Sequence, residues 1–185
     1  SLHDALPISW MIEGGKNEEA SFMITQLAKL FRISLSKGHT IITVRDELLH
    51  AKSYMNIQKV RYKNKFEVSF EVDEEIMDYC AVKLVLQPIL ENALNYGIRE
   101  LDDFGEIVVG GQKVGEDIII TVSDNGMGIP ENEIPFLLTN TDRVHKKGSG
   151  VGLVNVNNRI KILFGERYGL HIESEIGRAS CRERV

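Results

Sequence analysis

Apolar residues in the first part of the chain recur at the spacing of a helix. From about residue 18 to residue 35 they fall three or four positions apart, at Met23, Leu27, Leu30, Phe31 and Leu35. This spacing predicts an amphipathic helix that presents one apolar stripe. Lys37, Gly38 and His39 follow, and a glycine at this place predicts the end of the helix.

A second helix is predicted directly afterwards. Residues 43–46 read Thr-Val-Arg-Asp, which is typical of a capping box at a helix start. Helical spacing then continues at Leu48, Ala51, Met55, Gln58 and Tyr62. Two helices joined by a short loop form a hairpin with narrow apolar seams. We favour a partner hairpin covering these seams, as a four-helix bundle in a homodimer; the alternative is that the seams pack on the following domain.

The period then changes from that of a helix to that of a strand. Phe66, Val68, Phe70 and Val72 alternate with polar residues, which predicts a half-buried strand. Residues 77–99 are apolar and predict a long helix that Pro88 breaks or kinks near Gln87.

The remaining pattern alternates strands with helices. Residues 107–111 and 118–123 predict two strands joined by a turn at 114–117. Further on, the pattern predicts a short helix at 131–138, a polar loop at 139–148, a helix at 151–164 and a last strand at 170–173. Helices packed over an antiparallel-leaning sheet predict an α+β fold, a two-layer α/β sandwich preceded by the helical hairpin.

Both ends of the chain depart from the periodicity around them. We interpret residues 1–9 and 178–185 as non-native ends and exclude them from the fold prediction. The domain organisation then predicted is a truncated hairpin at 10–63 and a mixed domain at 64–177. We also expect the strand that would follow Gly177 to be lost, which would leave an exposed sheet edge.

Composition narrows the classes of function. The formal net charge is −5, with 43% hydrophobic and 26% charged residues, which argues against a nucleic-acid partner because such a partner needs a clustered basic face. Neither a membrane-spanning run nor a signal peptide is evident. The two cysteines, Cys80 and Cys181, form no CxxC pair and therefore predict neither a zinc site nor a disulfide framework. Cytoplasmic residence is the simplest interpretation.

A glycine-rich run is the first candidate for chemistry. Residues 148–153 read GSGVGL and precede the predicted helix at 151–164. A helix N-terminus carries unpaired N–H groups and partial positive charge, and glycine lets another group approach the backbone. The run therefore predicts an anion seat, most often for phosphate. A tight strand-to-helix turn explains the same run equally well.

Two further motifs, in a fixed order, make the interpretation more specific. PILENALNYG spans residues 88–97 and DNGMGIP spans 124–130, ahead of GSGVGL. The chain thus resembles the ATP-binding domain shared by sensor histidine kinases, type II topoisomerases, Hsp90 chaperones and MutL repair proteins. The three stretches correspond to its N, G1 and G2 boxes. The resemblance makes residues 64–177 an ATP-binding catalytic domain and implies ATP and Mg²⁺ as cofactors.

The resemblance also implies roles for single residues. Asn92 supplies an amide oxygen to magnesium, which prefers oxygen ligands; a buried, satisfied amide is the alternative. Asp124 accepts a hydrogen bond from the adenine amino group, and Gly126 and Gly128 let the ring lie against the backbone; a plain turn is the alternative. The other implied nucleotide contacts are Asn95, Tyr96, Gly148, Ser149, Gly150, Val151, Gly152 and Leu153. Lys146 and Lys147 lie in the loop that would close as a lid, where cations could meet phosphates; solvated lysines in a polar loop are the favoured alternative.

Within this superfamily the chain resembles sensor histidine kinases of the LytS/YesM type. Their N box typically reads QPxxENAxxHG, against QPILENALNYG at residues 87–97 here, with Tyr96 in the place of the family histidine. YMNIQKVRY at 54–62 resembles the family phrase YxxIQxxRY, and residues 158–174 resemble its last helix and strand.

That resemblance implies a two-component sensor kinase. Such a kinase phosphorylates a histidine and passes the phosphate to an aspartate on a response-regulator receiver domain. It implies that the hairpin is a dimerisation and histidine-phosphotransfer-like element through which the chain forms a homodimer. It also implies that the chain is the cytoplasmic part of a bacterial cell-membrane sensor, whose membrane segment would lie upstream. The alternatives are an ATPase clamp, an anti-sigma-type serine kinase, and a nucleotide-binding dimerisation module without activity.

The acceptor histidine and the water-activating base are both missing at their family positions. The family acceptor lies in a phrase like NPHFLYNTL, which we expect just before residue 1 or in sequence replaced by residues 1–9. His3, His39, His50, His145 and His171 are not in such a phrase. Hydrolysing relatives carry a glutamate where this chain has Pro88, which cannot accept a proton. Glu91 is the candidate catalytic residue, orienting the acceptor histidine, and the pattern favours phosphoryl transfer over hydrolysis.

Overall fold

The computed structural model describes residues 2–35, 40–98, 103–139, 150–175 and 178–184. Its first part is helical, with α1 at Leu2–Glu13, α2 at Asn17–Ser34 and α3 at Val44–Arg61. A short strand, β1 at Ile41–Thr43, precedes α3. Thr43 Oγ1 accepts the Asp46 backbone N–H at 3.1 Å, which confirms the capping residue predicted for the second helix.

The prediction of one long helix over residues 77–99 is wrong. A 3₁₀ turn at Glu74–Ile76 leads into β3 at Cys80–Val82, which pairs antiparallel with β1. Helix α4 begins only at Leu86, runs to Asn92 and continues as a π-helix over Ala93–Ile98. Pro88 therefore lies in the first turn of α4, where the missing N–H breaks no helical hydrogen bond, and it causes no kink.

The main sheet holds the strands that the alternation predicts, and one more. Its order is β2-β4-β5-β7-β6, with β2 and β4 parallel and the other neighbours antiparallel. The strands are β2 at Phe66–Val72, β4 at Gly105–Val114, β5 at Asp117–Asp124, β6 at Gly169–Glu175 and β7 at Arg178–Arg184. Helices α5 at Ile134–Leu137 and α6 at Gly150–Phe164 lie between β5 and β6 in the chain.

The expectation that a strand after Gly177 is lost is wrong. Strand β7 lies between β5 and β6 and pairs with both. Backbone N–H and C=O groups can join a ladder whatever the side chains are, so departure from periodicity does not prevent a strand here.

The core joins α3 to the sheet domain. Val44, Leu48, Ala51 and Met55 of α3 are buried in the same apolar cluster as Leu90 of α4, and this cluster extends to β4, β5, α6 and β6. The seam of the second predicted helix is thus covered by the same chain, so the favoured explanation, a partner hairpin over that seam, is wrong for α3. The two-layer α+β fold is confirmed, while a domain boundary at residue 64 stays a prediction.

Helix α2 is confirmed as a helix, but its buried face differs from the predicted stripe. The buried side chains are Ala20, Met23, Gln26 and Ile33. Phe31 and Leu35, both assigned to the stripe, are 45% and 73% exposed. The buried face is turned toward α3, the helix with which α2 packs most extensively, and Gln26 shares that contact with Asn56 at 3.3 Å.

Candidate functional site

The first two motifs meet at the end of the π-helix. Gly97 lies so close to Asp124 that a Cβ there would be 2.5 Å from Asp124 Oδ1. A Cβ on Gly126 would be 2.1 Å from the Gly97 Cα. Only glycine at both positions allows this approach, so the N and G1 motifs are in direct contact.

The third motif reaches the same helix from its other end. Gly152 lies in the first turn of α6, where a Cβ would be 3.2 Å from Pro88 Cβ. Leu153 is buried and Val151 is half-buried. Helix α6 begins at Gly150, so the glycine-rich run opens a helix as predicted, whereas Gly148, Ser149, Lys146 and Lys147 lie outside the described residues.

Asn92 closes α4, and its side-chain oxygen has an unusual environment. Asn92 Oδ1 is buried and has no hydrogen-bond partner among the residues that the structure describes. Leaving a buried acceptor unpaired costs about 1–3 kcal/mol, so a satisfied amide does not explain this residue. An oxygen that lacks a donor fits a hard cation such as Mg²⁺, which takes oxygen ligands.

Asp124 ends β5 and turns the chain into the G1 loop. Its Oδ1 accepts the Gly126 backbone N–H at 2.9 Å, so the plain-turn alternative describes one real role of this residue. Burial raises the pKa of Asp124 to about 6, against the lowering effect of the Gly126 hydrogen bond. Gly128 has φ +78°, a left-handed conformation that favours glycine.

Asn125 anchors the same loop. Its Oδ1 accepts the Glu106 N–H at 2.7 Å and its Nδ2 donates to the Phe104 carbonyl at 3.1 Å. These bonds tie the loop to the start of β4 and hold Asp124 at the end of its strand. The motif thus combines a supporting residue with a candidate binding residue.

The other N-box candidates are divided between two sides of the helix. Glu91 is half-buried and accepts a hydrogen bond from Gln87 Nε2 at 2.9 Å. Glu91 and the exposed Asn95 line a cavity of about 450 Å³ that α3 closes from the other side. Tyr96 is half-buried and is not among the residues that line this cavity.

Glu47 is a positioning residue that the sequence analysis missed. Its buried carboxylate accepts the backbone N–H groups of Leu84, Val85 and Leu86 at 2.7–2.8 Å, just where α4 begins. Burial raises the pKa of Glu47, against the lowering effect of these three amides. Glu47 is three residues after Val44 and four before Ala51, which places it on the buried side of α3. A charged residue at this position of the apolar pattern was the sequence signal that could have identified it.

Comparison with known families agrees with the motif order. A family model described as "Histidine kinase" matches residues 6–66. A second, described as "Histidine kinase-, DNA gyrase B-, and HSP90-like ATPase", matches residues 77–182, which is more than half of the chain.

Curated relatives point to the same proteins. The chain is 32% identical over 168 residues to the sensor histidine kinase YesM of Bacillus subtilis, covering 91% of this chain and 28% of the relative. It is 31% identical to the sensor protein LytS of Staphylococcus saprophyticus, covering 86% and 27% respectively. The chain therefore spans little more than a quarter of the length of these relatives.

Solved structures share the fold at low sequence identity. The histidine kinase AdeS of Acinetobacter baumannii aligns with TM-score 0.56 and 14% identity, over 92% of this chain and 80% of that one. The catalytic domain of the histidine kinase ThkA aligns with TM-score 0.60 and 16% identity, over 79% and 93%. The resemblance to sensor histidine kinases of the LytS/YesM type is confirmed, and the chain belongs to the Histidine kinase-, DNA gyrase B-, and HSP90-like ATPase family.

Proposed function

We propose that this chain supplies the ATP-binding catalytic part of a two-component sensor histidine kinase. The reaction moves the γ-phosphoryl group of ATP to a histidine, and then to an aspartate on a response-regulator receiver domain. The observation that carries the proposal is the unpartnered Asn92 Oδ1, on a helix whose two ends touch the G1 and G2 motifs.

Asp124 selects adenine in this proposal. Its carboxylate accepts a hydrogen bond from the exocyclic amino group, which guanine lacks at that position. Gly126 and Gly128 carry no side chain, so the ring lies against the backbone of the loop. Burial makes the pairing stronger because an isolated charge at this site is poorly solvated.

The phosphates lie at the start of α6 and the end of α4 in this proposal. Gly148, Ser149, Gly150, Val151, Gly152 and Leu153 supply the backbone N–H groups at a helix N-terminus, and Asn95 and Tyr96 flank the nucleotide from the N-box helix. Asn92 holds Mg²⁺ through Oδ1, and the bound ion supplies charge neutralisation across the phosphate oxygens.

Transfer to a histidine is favoured over transfer to water. Pro88, at the place of the hydrolytic glutamate, has no proton-accepting group and packs against Gly152. Glu91 is the proton acceptor next to Asn92, and it orients the acceptor imidazole by accepting its ring N–H.

We further propose a homodimer through the helical hairpin and a place on the cytoplasmic side of a bacterial membrane sensor. Ile24 and Phe31, seven residues apart on the same side of α2, expose apolar surface, which a second copy of the hairpin would cover. Within the described residues, the helices are too short or too polar to cross a bilayer.

Nucleotide binding tests the pocket directly. We expect Mg²⁺-dependent ATP binding by calorimetry, and about 10–100-fold weaker binding for Asp124→Asn, the loss of about 1.4–2.7 kcal/mol of charge-assisted pairing. Asn92→Ala is expected to abolish the dependence on Mg²⁺. The control variants are Asp73→Asn and Asn158→Ala, whose exposed side chains lie outside the three motifs. Unchanged Mg²⁺ dependence in Asn92→Ala would contradict the metal role.

Because the pKa of Asp124 is raised, the same binding test should also show a pH dependence. Protonation near pH 6 replaces the carboxylate with a neutral and weaker acceptor, so ATP affinity should fall as the pH drops below about 6. In Asp124→Asn this part of the pH dependence should disappear. A wild-type affinity that stays constant between pH 7 and pH 5 would remove adenine recognition from Asp124.

A further inference from the structure

A polar cavity lies between the C-terminal half of α3 and the N-box helix. It has a volume of about 450 Å³. The residues that line it come from the YMNIQKVRY and QPILENALNYG motifs: Tyr54, Gln58, Arg61, Tyr62, Glu91, Leu94 and Asn95. The YMNIQKVRY motif thus shares one cavity with the residue that directly precedes Asn92.

The carboxylate of Glu91 is held in place inside this cavity. Gln87 Nε2 donates to Glu91 Oε1 at 2.9 Å. Tyr54 lines the same cavity, and burial, followed by the charge of Glu91, raises the pKa of Tyr54. Tyr54 therefore stays neutral beside a carboxylate that faces the cavity and that the Gln87 bond orients.

Arg61, in the last turn of α3, supplies a positive charge to the lining of the cavity, opposite in sign to Glu91. The side chain is exposed and forms no ion pair with the residues that the structure describes. Arg61 lines the cavity together with Tyr54, and its positive charge acts to lower the pKa of Tyr54, against the larger raising effect of burial. A carboxylate inside the cavity and a cation at its lining suit a ligand that carries both an N–H donor and an anionic group.

We propose that this cavity receives the phosphoryl-accepting imidazole, with Arg61 binding the phosphoryl oxygens and Glu91 accepting the proton of the ring. The proposal rests on the function proposed above and adds Tyr54 and Arg61 to it. One imidazole nitrogen forms the N–P bond with its lone pair while the P–O bond to ADP breaks and ADP keeps those electrons. The other ring nitrogen gives its proton to Glu91, and Tyr54 positions that carboxylate.

Binding of phosphoimidazole, the smallest phosphorylated acceptor, tests the cavity without any catalysis. We would titrate phosphoimidazole, imidazole and inorganic phosphate into the chain and follow by NMR the side-chain amide resonances of Gln58 and Asn95, which line the cavity and are present in every variant. Phosphoimidazole should shift these resonances and bind more tightly than either fragment. Arg61→Ala should bind it about tenfold more weakly, as expected for one lost charge-assisted contact, and Arg61→Lys should recover part of the loss.

The matched control is Lys65→Ala, which removes an exposed cation close in sequence but outside the cavity. It should bind phosphoimidazole like the wild type. Equal affinities for the wild type and Arg61→Ala, or shifts confined to residues outside the cavity, would overturn the proposal. Tyr54→Phe should weaken binding less than Arg61→Ala, because it only loosens Glu91.

A separate titration with MgATP distinguishes this proposal from the proposed function. Arg61→Ala should keep wild-type affinity for MgATP. If Arg61→Ala lost MgATP affinity as strongly as it lost phosphoimidazole affinity, Arg61 would be a nucleotide contact and the acceptor site would be refuted. If the wild type failed to bind MgATP yet bound phosphoimidazole through Arg61, the proposed function would fail while the anion cavity would remain.

Discussion

Helices α2 and α3 are both 18 residues long, yet they have different surroundings. Val44, Leu48, Ala51 and Met55 of α3 are all buried in the core of the sheet domain. Helix α2 leaves Phe22, Ile24 and Phe31 exposed. Similar apolar spacing therefore identifies both helices, but it does not reveal which partner covers the apolar face.

Polar contacts join α2 to α3 and both helices to the segment that leads into α4. Ser34 Oγ of α2 lies 3.1 Å from His50 Nε2 of α3, and the Ser34 carbonyl accepts a bond from Lys83 Nζ at 2.8 Å. Lys83 precedes α4, whose first N–H groups bond to Glu47 of α3. Helix α3 therefore belongs to the same apolar core as the sheet, whereas α2 keeps Ile24 and Phe31 exposed on one side.

The largest expected effect comes from emptying the buried seam of α3. Met55→Ala should lower the free energy of unfolding by about 2–5 kcal/mol, because it removes a fully buried side chain and leaves a cavity. Urea denaturation followed by circular dichroism measures this loss. A loss below that range would mean that α3 is not part of the core.

The second effect concerns the carboxylate that joins α3 to α4. Glu47→Ala should cost about 2 kcal/mol of unfolding free energy, because three N–H groups, two of them in buried bonds, lose their acceptor. Glu47→Gln keeps one acceptor oxygen and should recover about half of the loss. Equal stability of Glu47→Ala and the wild type would show that these amides find other partners. Since Glu47 positions the N-box helix, its variants should also weaken MgATP binding.

Acid should weaken the contact between α2 and α3 through His50. Burial, with help from the charge of Lys83, lowers the pKa of His50 to about 4, against about 6.5 in an unfolded chain. Between these values the unfolded state binds more protons, so stability falls as the pH drops. From pH 8 to pH 6 this residue should cost about 1 kcal/mol. The cost should vanish in His50→Asn, and an unchanged slope would contradict it.

The smallest effect on folding is expected at the exposed face of α2. Phe31→Asp should change the free energy of unfolding by about 1 kcal/mol or less, because the residue is already 45% exposed. If a second hairpin covers this face, the same variant should weaken self-association in analytical ultracentrifugation. Strong destabilisation of the monomer would instead place Phe31 in the core.

The sequence by itself determined the elements that local periodicity encodes and the order of the three motifs. Strand β2 agrees with its predicted bounds, and the seam of α3 is buried at Leu48, Ala51, Met55 and Gln58 as predicted. These patterns are readable because 3.6- and 2-residue periods arise from neighbouring residues alone.

Only the tertiary structure decided which distant groups satisfy one another. Strand β3 exists because it pairs with β1, and α4 begins at Leu86 because Glu47, far back in the chain, accepts its first amides. Strand β7 forms between two strands whose ladders it completes. Likewise, the spacing of glycines predicted a close approach, but the contact of Gly97 with Asp124 and the unpaired oxygen of Asn92 required the folded chain. Burial and hydrogen-bond satisfaction depend on partners that a linear pattern does not contain.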